Sequence, residues 1–506
     1  MRIVNSLRNI ASSFIQLILT TLLGFVVRSV FIKTLGIDYQ GLNQVFSSIL
    51  FMLAIAELGI GTAIIFNMYP FIAAKDHEGI KSLMRFYQKC YRAVALLVTT
   101  IGLIIMPFLQ FFSNTNLDKI SENVYLLYLL YLSSTVATYL FSYKRSILFA
   151  DQKNYILNIV DMITNILMNL VYLGVLLVFH SFMLYLIATL VFTISENLFI
   201  NALVNKRYPY LTERNIQPMD SGIIKKFRKQ IYGMLYHNIG NFVVFGTDNL
   251  IISKFLGLGI AGTYGNYLLI TNSVSSVLNA IIASLTASVG DLLTEKNPEK
   301  SFATYKNISF MNFWLYSFAS IAIFIVMQPF MSLWMPKFML SELVVLFIVL
   351  NFYVQGMRKP IQLFQNASGI FYENRHVPVI EMIVNFVLSI IFVQFFGLEG
   401  ILFGTLISTM ILYAYSFPKY IYKPVFEQKN SNYVWEQVRY LLLFAFTLMI
   451  SAFLTYFATR QLNTWAAFFV SLVLSLILPN LILFVIFRKT EEFKYFTSLI
   501  KTFIRR

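Results

Sequence analysis

A single cysteine, Cys90, stands in 506 residues, and only 12% of the chain is charged. One cysteine excludes an intramolecular disulfide and any cysteine-built metal cluster. The four histidines form no metal-spaced set, and Asp76-His77-Glu78 reads as a solvated loop. A phosphate-cradling P-loop is absent, so any transport is not directly ATP-driven by this chain. There is no nucleophile–base constellation, and the polar connections on one side are too short to fold as a catalytic domain. These absences exclude the common enzyme classes and leave no call for a cofactor. Whatever the chain does, it does with its apolar segments.

Those segments dominate it. Hydrophobic residues make up 58%, and fourteen apolar stretches span 10–33, 41–69, 93–112, 122–143, 155–179, 182–204, 231–253, 263–290, 307–331, 339–369, 377–396, 400–418, 440–459 and 464–487. Each is about 20 residues or longer, enough to cross a hydrocarbon core of about 30 Å as a helix. Lipid offers no partner to backbone polar groups, so the expected class is an all-α polytopic membrane protein with fourteen spans. The first run is too long for a signal peptide, lacks an A-x-A cleavage site and contains Arg28, so it is expected to be retained.

Basic residues set the orientation. With the N-terminus inside, 33 of the 39 Lys and Arg fall on inward segments, while Lys33, Lys119, Lys254, Lys337 and Arg460 face outward and Arg28 lies within the first span. This bias predicts both termini in the cytoplasm. The net charge of +16 is dispersed over eight segments rather than gathered on one face, which argues against a nucleic-acid partner.

A weak internal repeat divides the chain. Leu35-Gly36-Ile37 with Gly41 matches Leu256-Gly257-Leu258 with Gly262, and Asp161-Met162-Ile163-Thr164-Asn165 matches Glu381-Met382-Ile383-Val384-Asn385, at offsets of about 220. Six spans return the chain to the same side, so the repeats are parallel, as in several secondary transporters. The expected organisation is an N-lobe over 1–210 (spans 1–6), a cytoplasmic basic linker over 211–230, a C-lobe over 231–425 (spans 7–12), and spans 13 and 14 with a basic tail over 426–506. Within the linker, Asp220-Ser221 would cap a helix carrying Lys225, Lys226, Arg228 and Lys229. It reads either as a helix on the anionic inner leaflet or as a plain inward linker.

Polar residues inside spans lead the site hypotheses, because lipid cannot solvate them. In span 10, Asn351, Gln355, Arg358, Gln362 and Gln365 recur every three or four residues and share one helical face. That stripe would line a cavity or a satisfied helix interface, with Arg358 either contacting an anionic substrate through its planar fork or snorkelling to the inner edge. Span 5 carries Asn158, Asp161, Asn165 and Asn169 on one face, and span 11 carries Glu381, Asn385 and Ser389. Span 7 carries His237, Asn241 and Asp248, with His237 either an interior histidine or a proton relay. Glu57 sits near the middle of span 2. Arg28, nearer the outer face, is expected level with Asp248, as a gate or as a static pair. Asp161, His237, Asp248 and Glu381 are the candidates for ion coupling or gating.

These residues carry a resemblance. LGIDYQGLNQVF (35–46), AELGIGTAIIF (56–66), GTDNLIISKFLGL (246–258), QNASGIFYENR (365–375) and FGTLIS (403–408) resemble the MOP exporter superfamily, and within it the polysaccharide transporters, the Wzx-type flippases of lipid-linked oligosaccharides. The likeness runs over essentially the whole chain. It implies alternating access in a bacterial plasma membrane, with an undecaprenyl-diphosphate-linked glycan as cargo. Membrane lipids, and polysaccharide polymerase and glycosyltransferases, would be its partners. The chain is similar also to the lipid II flippases of this superfamily, whose cavities use basic residues for pyrophosphate; Arg28 and Arg358 are the positions here that would serve so. A MATE-like drug exporter shares the fold, and a membrane polymerase or glycosyltransferase is the rival from another class.

Overall fold

The computed structural model describes residues 2–57, 60–112, 120–213, 216, 219, 222, 246–370, 373–495 and 497, and all regular structure among them is helical. The chain divides into two compact units, Met1–Gly262 and Thr263–Arg506. The linker helix expected over 221–230, His237 and Asn241, and most of span 7 lie outside the described residues.

Eleven described helices are long and apolar enough to cross a membrane. Three places separate that number from the fourteen stretches. Span 7 is largely undescribed. Span 2 is interrupted: α2 (Ile37–Leu53) ends in a single 3₁₀ turn, Ala54–Glu57, before α3 (Ile60–Ala73). An uninterrupted helix was expected there, but Gly59 and Gly61 each lower helix propensity beside a carboxylate. Spans 11 and 12 merge into one apolar run, Val377–Phe426, yet Gly397 breaks it with φ 59° and ψ −132°. Backbone atoms meet across that break, since a Cβ on Gly400 would lie 2.3 Å from the Phe392 carbonyl oxygen, and Asn385 Nδ2 donates to Thr405 Oγ1 at 2.9 Å. The run is therefore two antiparallel helices, the hairpin α14 (Val377–Ile411), turned at a glycine that tolerates positive φ.

In the first unit, α1 (Arg2–Leu35) packs on α7 (Asn154–Val178), and α5 (Val124–Phe141) packs on α8 (Phe182–Arg207). Next to them α4 (His77–Ile105) is capped by Asp76, which accepts from Gly79 N at 2.9 Å, and α6 (Arg145–Ala150) follows α5 after a 3₁₀ turn. The repeat seen in the sequence recurs here as geometry. Gly36 and Gly257 share positive φ, 97° and 92°. Behind them the starts of α2 and α9 (Leu258–Ala283) meet reciprocally: a Cβ on Gly41 would lie 2.0 Å from the Leu258 carbonyl oxygen, and one on Gly262 would lie 2.4 Å from that of Ile37. The two contacts exchange under an offset of 221. Such backbone proximity is available only to glycine.

The second unit packs α11 (Pro298–Trp334) against α17 (Thr464–Phe487) and α16 (Asn430–Thr459). Small side chains on these helices, Ser317 and Ser320 on α11 and Ser471 and Ser475 on α17, are fully buried. Trp314 Nε1 donates to Asn480 at 2.8 Å across the same pair. The most apolar window of α17 has a mean hydropathy of 2.7 but is only 22% buried, so lipid is what covers it.

Candidate functional site

Span 10 is two helices. α12 (Glu342–Met357) and α13 (Lys359–Ser368) meet at Arg358, two residues before Pro360. Pro360 has no N–H for the Gly356 carbonyl, and its ring crowds that group. Asn312 Nδ2 on α11 donates to it at 3.2 Å, beside the Arg358 backbone N–H. Gly356 is required there, because a Cβ would strike Tyr316 Cδ1 at 1.9 Å. A proline, a glycine and a buried amide thus fix the joint that carries Arg358.

The amide stripe faces the α14 hairpin. Asn351 Nδ2 donates to the Leu402 carbonyl at 2.9 Å, and Gln355 Nε2 donates to Thr409 Oγ1 at 3.4 Å. Arg358 lies 3.7 Å from Glu381 Oε1, with the two residues 5% and 1% exposed. Past the joint the stripe diverges: Gln365 bonds its own loop at the Ile370 carbonyl, and Gln362 is half-buried. Of the sequence candidates, Asn351, Gln355, Arg358, Glu381, Asn385 and Ser389 therefore belong to one seam. Its hydrogen-bonding capacity is unspent. Asn351 Oδ1, Gln355 Oε1, Arg358 Nε and Nη1, Glu381 Oε1 and Asn385 Oδ1 are all buried without a hydrogen-bond partner. Orphans of this kind cost about 1–3 kcal/mol each unless a guest or water satisfies them.

An apolar groove of about 160 Å³ adjoins the seam. Val354, Met357 and Tyr413 form the wall shared with α12 and the hairpin, while Val434, Val438 and Leu441 of α16 form the far wall. Tyr413 closes the shared wall by donating to the Val354 carbonyl at 2.5 Å.

The first unit holds two further polar clusters. Glu57, in its 3₁₀ turn, accepts a hydrogen bond from Tyr91, with Tyr139 close by, and Tyr87 stands edge-on to Tyr91. Asp161 pairs with Arg145 at 3.0 Å, and Arg145 also grips Glu196 and donates to Asn197 Oδ1 at 3.2 Å. Two carboxylates thus share one guanidinium. Arg28 lies against the phenols of Tyr131 and Tyr185, and Asp248 is buried in the helical stretch described from residue 246. Sequence reasoning missed Arg145, Glu196 and the tyrosines around Glu57. Glu196 was legible as the one acid within span 6; the tyrosines carried no such signal.

Compared with solved structures, the chain is similar to "Lipid II flippase MurJ, inward closed conformation", with TM-score 0.68 at 14% identity over 95% of this chain and 98% of that one. It matches an inward-facing multidrug resistance MATE family transporter of the MOP superfamily with TM-score 0.57 at 16% identity, covering 84% of this chain and 95% of that one. The chain has the MOP-transporter fold. A Pyrococcus furiosus MOP superfamily transporter, described by a binding pocket of reversed polarity, shares this fold with TM-score 0.52 at 14% identity over 86% and 95% of the two chains. All three are transporters or flippases, and the eleven apolar helices make the protein a multi-pass membrane protein. No family model and no curated protein matches the sequence.

Proposed function

We propose that the protein is a flippase. It moves undecaprenyl-diphosphate-linked oligosaccharide units from the inner to the outer leaflet of a bacterial plasma membrane, by alternating access, for cell-surface polysaccharide biosynthesis. Fourteen spans with both termini cytoplasmic is the topology that goes with this reading, and glycosyltransferases and polysaccharide polymerase are its functional partners. The observation that carries it is the α12–hairpin seam, a row of buried polar atoms with unspent hydrogen-bonding capacity around the Arg358–Glu381 ion pair, lying beside an apolar groove. Glycan hydroxyls and a diphosphate are the kind of guest that spends such donors and acceptors, since a guanidinium fork matches phosphoryl oxygens. A polyprenyl chain needs the apolar companion.

Glu57, Asp161, His237 and Asp248, together with Glu196, are the groups through which an ion gradient would drive the cycle. Charges inside a membrane are costly and go with ion pathways. A second reading is favoured by one specific observation, the 95% coverage by the MurJ structure at TM-score 0.68: the cargo is then lipid II. Proteoliposomes loaded with either lipid-linked oligosaccharide or lipid II separate the two. Ala414→Trp, which fills the exposed mouth of the groove, should block translocation of the preferred lipid while leaving the protein folded. Equal translocation by that variant would remove the groove from the path, and an imposed proton gradient with no effect on rate would remove the coupling groups.

A further inference from the structure

A second cavity, about 420 Å³, opens in the first unit at the end that the basic-residue distribution assigns to the cytoplasm. Lys81, Arg85 and Gln88 share one face of α4, being four and three residues apart. Tyr143 and Lys144 enter from the junction of α5 and α6, while Met84 and Leu211 supply apolar wall. Among the described lining residues three are cations and none is a carboxylate. Lys81 is held from outside by Glu78 at 2.5 Å and Glu213 at 2.6 Å, which fixes it in place. Arg85 is exposed and, among the described residues, has no acidic partner within 4 Å. Lys144 Nζ donates to Asn205 Oδ1 at 2.5 Å, a neutral acceptor, and has further N–H donors to give. Tyr143 accepts from Gln88 Nε2 at 3.1 Å, which leaves its own hydroxyl proton to give.

We propose that this cavity binds the phosphoryl group of a lipid headgroup at the cytoplasmic surface, with Arg85 and Lys144 as its principal donors and Tyr143 as a third. A guanidinium, an ammonium and a phenol converging on one space match the oxygens of a phosphate or diphosphate. Met84 and Leu211 favour an amphiphile over a free ion. The headgroup is either that of an anionic phospholipid or the diphosphate end of a prenyl-linked cargo, and the chemistry of recognition is common to both. This site is separate from the α12–hairpin seam, and its test reads binding rather than translocation, so either conclusion can fail alone.

The experiment uses the full chain in phosphatidylcholine nanodiscs, titrated with inorganic pyrophosphate. Arg85→Gln/Lys144→Gln should weaken binding about tenfold or more, whereas Lys89→Gln, an exposed charge on the same helix outside the cavity, should not change it. Repeating the titration in nanodiscs containing phosphatidylglycerol identifies the source. Weaker apparent pyrophosphate affinity there assigns the cavity to phospholipid, and unchanged affinity assigns it to a diphosphate. Pyrophosphate binding that is absent in the wild type, unaffected by the double substitution, or equally lost with Lys89→Gln would overturn the proposal.

Discussion

Removing Arg358 separates a structural charge from a functional one. The guanidinium and the Glu381 carboxylate are 3.7 Å apart and both buried. At an effective dielectric of about 20 their attraction is roughly 4–5 kcal/mol. Arg358→Met deletes that term and strands a buried carboxylate without its counter-charge, a loss of about 3–5 kcal/mol for breaking a buried pair. Glu381→Leu strands the arginine at similar cost. The double variant leaves neither charge, and replacement of both partners by apolar residues is neutral or stabilising by about 1–4 kcal/mol. Thermal unfolding in detergent, followed by monodispersity on gel filtration, should therefore fall sharply in each single variant and recover in the double. Translocation of a lipid-linked oligosaccharide in proteoliposomes should not recover, because the fork that meets the diphosphate is gone. Single variants as stable as the wild type would refute the pairing. A double variant that translocates at the wild-type rate would refute the role of Arg358 in cargo binding.

The reciprocal crossing at α2 and α9 predicts that Gly41→Ala and Gly262→Ala destabilise by similar amounts, about 1–3 kcal/mol each, read from unfolding midpoints; a neutral Gly41→Ala would rule out the backbone contact with Leu258. At the α12–α13 joint, Asn312→Leu should cost about 1–3 kcal/mol by removing the side-chain donor to the Gly356 carbonyl. Pro360→Ala restores a backbone N–H, so Asn312→Leu/Pro360→Ala should regain most of that loss. If the second substitution adds to the damage instead, the amide does not serve the carbonyl.

Much of the fold was legible because lipid imposes a simple rule on composition. α7, α8 and α17 begin and end within a few residues of the apolar runs that announced them. Gly397 divides the Val377–Phe426 run where the sequence separated 377–396 from 400–418. Hydropathy could not register the 3₁₀ turn at Glu57, since the runs on both sides of it are equally apolar. The joint at Arg358 was hidden for a related reason: Pro360 lies within a stripe whose period continues past it. The stripe itself was readable as a shared face as far as Arg358, because period alone decides which residues align. What that face meets was not readable. Leu402, Thr409 and Glu381 come from a hairpin whose register depends on a close backbone approach at Gly400. Partnerships such as Arg145 with Glu196 also join distant spans and leave no periodic trace.

The Gly356 carbonyl bears on motion. In an ordinary helix, bending stretches a backbone hydrogen bond and meets its resistance. Here that bond is already ceded to a side chain on another helix, and an asparagine amide on rotatable torsions can follow a moving oxygen. Swivelling of α13 against α12 therefore sacrifices no ladder bond at this point, and the stiffness of the joint is set by how far Asn312 can reach.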